Sequence, residues 1–124
     1  MKKILLFAML LATVAMTSCS KSSSTSSTPT LVGKWKLVSY VYKAGTFTET
    51  YNGVTADYVE FKSNGTAVSF IDGETHNTTY TINGSNLNMD GQTYSIALAS
   101  TTATLYYTEL ISGTRYEETI NLRK

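Results

Sequence analysis

Residues 103–122 read ATLYYTELISGTRYEETINL. Two runs of alternating apolar and polar residues flank Ser112-Gly113, a pair suited to the positive φ angles that a two-residue hairpin demands. Folding about that pair sets Leu105 opposite Ile120, Tyr107 opposite Glu118 and Glu109 opposite Tyr116. Facing residues point to one side of a sheet, so all six share a face, with two carboxylates among the apolar groups. The period of two identifies strands, and its repetition along the chain decides the fold.

The same alternation recurs at 34–42, 57–62, 66–71, 76–83, 86–89 and 92–99, which with 103–110 and 114–122 makes eight candidate strands. Asn64-Gly65, Asp72-Gly73, Asn83-Gly84 and Asp90-Gly91 supply further turn pairs. Read as two-residue loops, Asn64-Gly65 pairs Phe61 with Val68 and Val59 with Phe70, Asn83-Gly84 pairs Tyr80 with Leu87, and Asp90-Gly91 pairs Leu87 with Tyr94. Asp72-Gly73 breaks the agreement, because a two-residue loop there sets Phe70 opposite Thr75 and turns Tyr80 and Ile82 outward. A three-residue loop, Asp72-Gly73-Glu74, restores the common face and points His76 inward. Short hairpins and one apolar face predict an all-β, eight-stranded antiparallel up-and-down barrel, which leaves no open sheet edge, with a two-sheet sandwich as the alternative.

Ahead of the strands stand Met1-Lys2-Lys3 and an apolar run from Ile4 to Met16, the layout of an export signal and short for a transmembrane helix. Met16-Thr17-Ser18-Cys19 resembles the lipobox of bacterial lipoprotein precursors, with Met16 in place of the usual leucine. The resemblance implies a signal peptide over 1–18, lipid attachment at Cys19, and a membrane as a partner through that lipid. Residues 20–30 are almost wholly Ser and Thr, a composition that buries nothing and gives a tether reach of roughly 20 Å. The expected organisation is therefore 1–18 leader, 19–30 linker and 31–124 barrel, on a Gram-negative outer membrane. With no acidic run after Cys19 of the kind some families use for surface export, the periplasmic face is expected. Cleavage before Cys19 removes Lys2 and Lys3, taking the basic residues from 10 to 8 against nine acidic ones, so net charge goes from +1 to −1. That balance gives no basis for nucleic-acid binding. A single cysteine excludes an internal disulfide framework and a cysteine metal cluster.

Gly33-Lys34-Trp35, at the start of the first strand, looks like the Gly-x-Trp signature of lipocalins, and the layout of 31–124 is similar to the small lipocalin-like domains of bacterial lipoproteins. The resemblance implies that Trp35 closes the narrow end of the barrel and that an arginine near the end of the last strand, here Arg123, packs over it. It implies ligand binding at the other end, under a lid formed by the segment 43–56; a short extra hairpin is the alternative for that segment. The chain departs from the larger family in its short strands and in Thr55-Ala56-Asp57-Tyr58, which comes too early for the family's middle motif.

No catalytic motif is present: neither Gly-x-Ser-x-Gly, His-Glu-x-x-His, a phosphate-binding glycine loop nor a cysteine nucleophile. The reading is non-enzymatic, without cofactor or metal. His76, the sole histidine, has Asp72 and Glu74 nearby without recognisable ligand spacing. The candidate ligand-binding residues are Phe47, Tyr51, His76, Tyr94, Tyr107, Glu109, Tyr116 and Glu118, which gather at the end opposite Trp35, with Glu109 and Glu118 orienting the ligand. A small, partly apolar ligand is the first expectation. The alternative is a filled barrel that contacts an envelope protein or glycan, for which Val38, Tyr40, Tyr42 and Tyr106 offer an outward patch on the alternation read from Trp35.

Overall fold

A computed structural model describes residues 30–124; the expected leader 1–18, Cys19 and all of the expected linker except its last residue lie outside the described residues. Its strands are β1 (Gly33–Ala44), β2 (Phe47–Asn52), β3 (Tyr58–Phe61), β4 (Thr66–Ile71), β5 (Glu74–Asn83), β6 (Asn86–Met89), β7 (Gln92–Leu98), β8 (Thr102–Ile111) and β9 (Thr114–Arg123). β1 pairs antiparallel with β3, each of β3 to β8 with the next, and β9 returns to pair with β1. The result is a closed eight-stranded up-and-down barrel with β2 as an additional strand.

The Ser112-Gly113 hairpin has the expected register: Leu105 faces Ile120, Tyr107 faces Glu118, and Glu109 faces Tyr116. Leu87 likewise faces Tyr94. The β3–β4 register differs by one residue, with Phe61 opposite Ala67 and Val59 opposite Ser69. Gly65 at φ +84° donates to the Lys62 carbonyl and Lys62 N–H to Thr66, while Thr66 N–H bonds the Asn64 side chain. This is a three-residue loop in which Gly65 forms the bulge, instead of a two-residue Asn-Gly turn. Phe70 and Val68 therefore face outward, and Phe70 stacks on Tyr58 with ring centroids 6.0 Å apart.

The next turn differs in compensation. Asp72-Gly73 is a two-residue loop after all, with both φ angles positive, and pairs Ile71 with Glu74 and Phe70 with Thr75. The expected three-residue Asp72-Gly73-Glu74 loop does not form, because the extra residue already sits in the preceding hairpin. The two differences cancel: from β5 onward the inward face is the expected one, with Tyr80 buried. A smaller correction falls at the β5–β6 turn, whose loop is Gly84-Ser85, so Tyr80 faces Met89 and Ile82 faces Leu87.

β1 carries the largest departure from simple alternation. Leu37 pairs with Leu122 but Ser39 with Asn121, which leaves Val38 as an extra, bulged residue. The bulge reverses which side each later residue faces. Tyr40 and Tyr42, expected outward, turn inward, so the outer patch of Val38, Tyr40, Tyr42 and Tyr106 does not exist as a unit.

Opposite the bulge, the partner on the other edge of β1 is interrupted. β2 pairs with residues 39–44 and β3 with residues 33–36, and Gly53 to Asp57 loops out between them. Two hydrogen bonds cross the gap, Gly53 N–H to the Val38 carbonyl at 3.0 Å and Leu37 N–H to the Asp57 carbonyl at 3.1 Å. Gly53 lies so close to β1 that a Cβ there would sit 2.1 Å from the Leu37 carbonyl oxygen. Thus 43–56 is the extra hairpin, an extension of the wall, and not a lid across the mouth.

The lower half of the bore is packed. Trp35 is fully buried, its indole N–H bonded to the Leu31 carbonyl at 2.8 Å, and Phe61, Leu87, Leu105 and Leu122 surround the same space. The Phe61 and Tyr80 rings meet edge to face with centroids 5.1 Å apart, and the Tyr80 hydroxyl donates to the Lys62 carbonyl. Trp35 plugs this end as expected. Arg123 does not pack over it: alternation turns Leu122 inward and Arg123 out, and the Lys124 ammonium takes the place, 4.7 Å from the indole centroid.

Candidate ligand-binding site

Above this packed layer the bore holds a cavity of about 150 Å³, towards the end where the turns 72–73, 90–91 and 112–113 lie. Its apolar wall includes Leu37, Val59, Ile71, Met89 and Ile120; its polar groups are Tyr40, Ser69, His76, Thr78, Asp90, Tyr94 and Glu118. These polar side chains come from five of the strands and one turn, and barrel closure alone brings them together.

Two polar clusters occupy the wall. On one side the Tyr94 hydroxyl lies 3.1 Å from Glu118 Oε2 and 2.8 Å from Gln92 Oε1. One phenolic proton cannot serve both acceptors; with the Gln92 amide turned to donate, Tyr94 is free to donate to Glu118. Burial raises the Tyr94 pKa and neighbouring Glu118 raises it further; the same two causes push Tyr40 up to about 12. Both phenols therefore stay protonated at any physiological pH and remain donors to Glu118 or to a ligand. On the other side, Asp90 Oδ1 accepts from Thr78 Oγ1 at 2.6 Å and contacts His76 Nε2 at 3.3 Å. The Thr78 hydroxyl, and after it the histidine, hold the Asp90 carboxyl below its ordinary value.

Of the residues expected to meet a ligand, His76, Tyr94 and Glu118 line the cavity. Phe47, Tyr51, Tyr107, Glu109 and Tyr116 do not. Phe47 sits beside the tip of the β1–β2 hairpin, 57% exposed. The Tyr51 hydroxyl is taken by Asp57 at 2.7 Å. Glu109 is exposed on the rim and accepts from the Tyr107 hydroxyl, so these two satisfy each other. Tyr116 packs beside Tyr42, ring centroids 6.5 Å apart. His76 finds its acidic partner in Asp90 of the β6–β7 turn, not in Asp72 or Glu74, and no group of three potential metal ligands occurs among the described residues.

Sequence reading missed Tyr40 because of the bulge, Ser69 and Ile71 because of the β3–β4 loop, and Asp90 because a turn residue carries no facing information. It also missed Asp57. This carboxylate is 1% exposed and accepts from Tyr51, from Val54 N–H at 2.9 Å and from Asp72 N–H at 3.1 Å. Those donors hold its pKa down, Val54 most and then Tyr51. Asp57 ties the β2 extension to the β4–β5 turn beside the mouth.

The packed Trp35 end, the up-and-down closure and the half-empty bore agree with a family profile described as a lipocalin-like domain, which matches residues 31–120. The chain belongs to the lipocalin-like domain family. No curated protein matches it. Membership gives the cavity its meaning, since an eight-stranded barrel encloses room either for side chains alone or for one small ligand. In this lipocalin-like domain side chains fill the lower half of the bore, and the candidate site is the cavity in the upper half.

Proposed function

We propose that this protein is a lipid-anchored lipoprotein of the Gram-negative envelope whose lipocalin-like domain binds one small, partly apolar ligand. The observation that carries the binding reading is the cavity of about 150 Å³, with aliphatic walls and the Glu118 and Asp90 clusters set into them. Cavities of about this size hold a single ring, as an engineered apolar cavity of about 150 Å³ holds benzene. A ligand of that scale is much smaller than a long lipid chain. The lipobox-like Met16-Thr17-Ser18-Cys19 supports the anchor, and the absence of an acidic run behind it supports the periplasmic face.

Native mass spectrometry of the protein purified from its own host tests the binding reading. The expected result is a mass increment that is lost on denaturation and corresponds to a compound of about ring size. A bare mass under native conditions, together with failure of every small probe to enter the bore, would overturn it.

A further inference from the structure

Charge is distributed along the barrel axis. Lys34, Lys36, Lys62, Arg123 and Lys124 stand at or near the Trp35 end, where Glu60 and the buried Asp57 are the acids beside them. Asp72, Glu74, Asp90, Glu109, Glu117 and Glu118 stand on the mouth-end turns or on the strand segments next to them, against Lys43 and Arg115. The cavity is at the acidic end, and the chargeable side chains other than tyrosines on its wall are Asp90, Glu118 and His76, with neither Lys nor Arg. An opening lined by one sign of charge, with low-dielectric walls behind it, concentrates ions of the opposite sign.

The two carboxylates keep acceptor capacity. The Asp90 contacts among the described residues all fall on Oδ1. Glu118 receives the Tyr94 bond on Oε2, from the same hydroxyl that also lies within reach of Gln92, and has the Tyr40 phenol beside it as a second donor, which leaves part of its acceptor capacity for a ligand. Tyr40 and Tyr94 add aromatic surface, which favours cations, and Leu37, Ile71, Met89 and Ile120 add aliphatic surface. An anion in this cavity would meet like charges. A neutral ligand would leave part of a half-buried carboxylate without a partner in place of its water.

We propose that the cavity selects a small organic cation, a primary amine on an apolar body of about one ring, with its ammonium on Glu118 and its body against the aliphatic wall. This specificity rests on the ligand-binding reading of the same cavity. Three probes of one shape separate the two ideas: benzylamine, benzyl alcohol and benzoate, each titrated into the purified protein and followed by backbone amide chemical shifts. Benzylamine is expected to bind about tenfold more tightly than benzyl alcohol, with benzoate weakest, and to lose affinity as salt rises. E118Q is expected to lower benzylamine affinity about tenfold and that of benzyl alcohol by a much smaller factor, its amide spectrum reporting that the barrel is intact; D90N, at the other cluster, gives a smaller loss of benzylamine affinity and serves if E118Q does not fold. Equal binding of the amine and the alcohol, a preference for benzoate, or unchanged amine affinity in both variants overturns the cation specificity while the cavity still binds. Absence of binding by all three overturns the ligand reading itself.

Discussion

Gly53→Ala is the sharpest perturbation of this architecture, because it strikes the point where the interrupted β2–β3 edge crosses the Val38 bulge. The added Cβ would stand 2.1 Å from the Leu37 carbonyl oxygen, 2.7 Å from its carbon and 3.1 Å from its Cβ. Two of these are backbone atoms of a residue laddered to Leu122 of β9 on one edge and bonded to the Asp57 carbonyl on the other, so they cannot rotate away. Relief requires the 53–57 segment to lift off β1, straining the crossing bonds Gly53 N–H to Val38 and Leu37 N–H to Asp57. Overpacking of this kind costs about 1–3 kcal/mol, and the two hydrogen bonds contribute about 1 kcal/mol each, for a total of about 3–5 kcal/mol. At about 0.05–0.15 kcal/mol per residue, a domain of this size has about 5–14 kcal/mol in all, so the variant should be marginal. Urea unfolding followed by the fluorescence of Trp35, the sole tryptophan, measures the loss; a fall in midpoint of roughly 1.5–3 M is expected. Gly73→Ala is the control. Its Cβ would meet nothing within 4 Å, and its φ of +81° alone carries a cost of about 1–2 kcal/mol. If Gly53→Ala lost no more than Gly73→Ala, the close crossing at Val38 would be refuted.

Phe61→Ala should cost about 3–5 kcal/mol and Phe70→Ala less than half of that, since only Phe61 is inward; equal losses in the same urea assay would restore the register read from Asn64-Gly65. Asp57 has a lowered folded pKa, so its contribution is complete above its unfolded value near 3.8 and is lost as pH falls through the folded value. The urea midpoint should therefore drop below about pH 4 in the wild type, and that part of the drop should vanish in Asp57→Asn. Its partner Tyr51, raised to about 12 chiefly by the hydrogen bond to Asp57, works at the other limit: its contribution is complete below pH 10 and is lost as pH rises through about 12. Lys124→Ala should shift the Trp35 emission and cost about 0.5–1 kcal/mol, whereas Arg123→Ala should leave the emission unchanged; the reverse result would return the covering role to Arg123. Cys19→Ser should abolish incorporation of a fatty-acid analogue and membrane fractionation while leaving the barrel folded, and equal labelling of both proteins would dismiss the lipid anchor.

Strand alternation and turn pairs were legible because each is a local property. A period of two and a Gly next to Asp, Asn or Ser constrain φ and ψ within a few residues, and all eight barrel strands were readable near their observed positions on that basis, with β3 shortened from 57–62 to 58–61. The β8–β9 register was correct for the same reason, and it brought Glu118 to the inner face. The interior polar site was only partly legible. His76, Tyr94 and Glu118 follow from alternation, but Tyr40 reaches the cavity only through the Val38 bulge. No feature of β1 taken alone marks that bulge; it exists because β9 pairs along the whole strand while the opposite edge is shared by β2 and β3.

Local pattern alone establishes an all-β chain whose inward face is apolar, whose first strand begins near a tryptophan, and whose short turns force each strand beside its predecessor. Pairing rules acting over two to ten residues suffice for that. Which loop of the β3–β4–β5 meander holds the extra residue was decided by the tertiary structure, because either placement gives β5 the same inward face and only contact with neighbouring strands distinguishes Ala67 from Val68 as the residue facing Phe61. Closure also decided where the bore is full and where it is open. Trp35, Phe61 and Leu105 fill one end, while on the wall of the other the smaller Ser69, Thr78 and Ala67 face Tyr94 and Glu118 across a gap, a balance of volumes from strands far apart in the chain that no local pattern encodes.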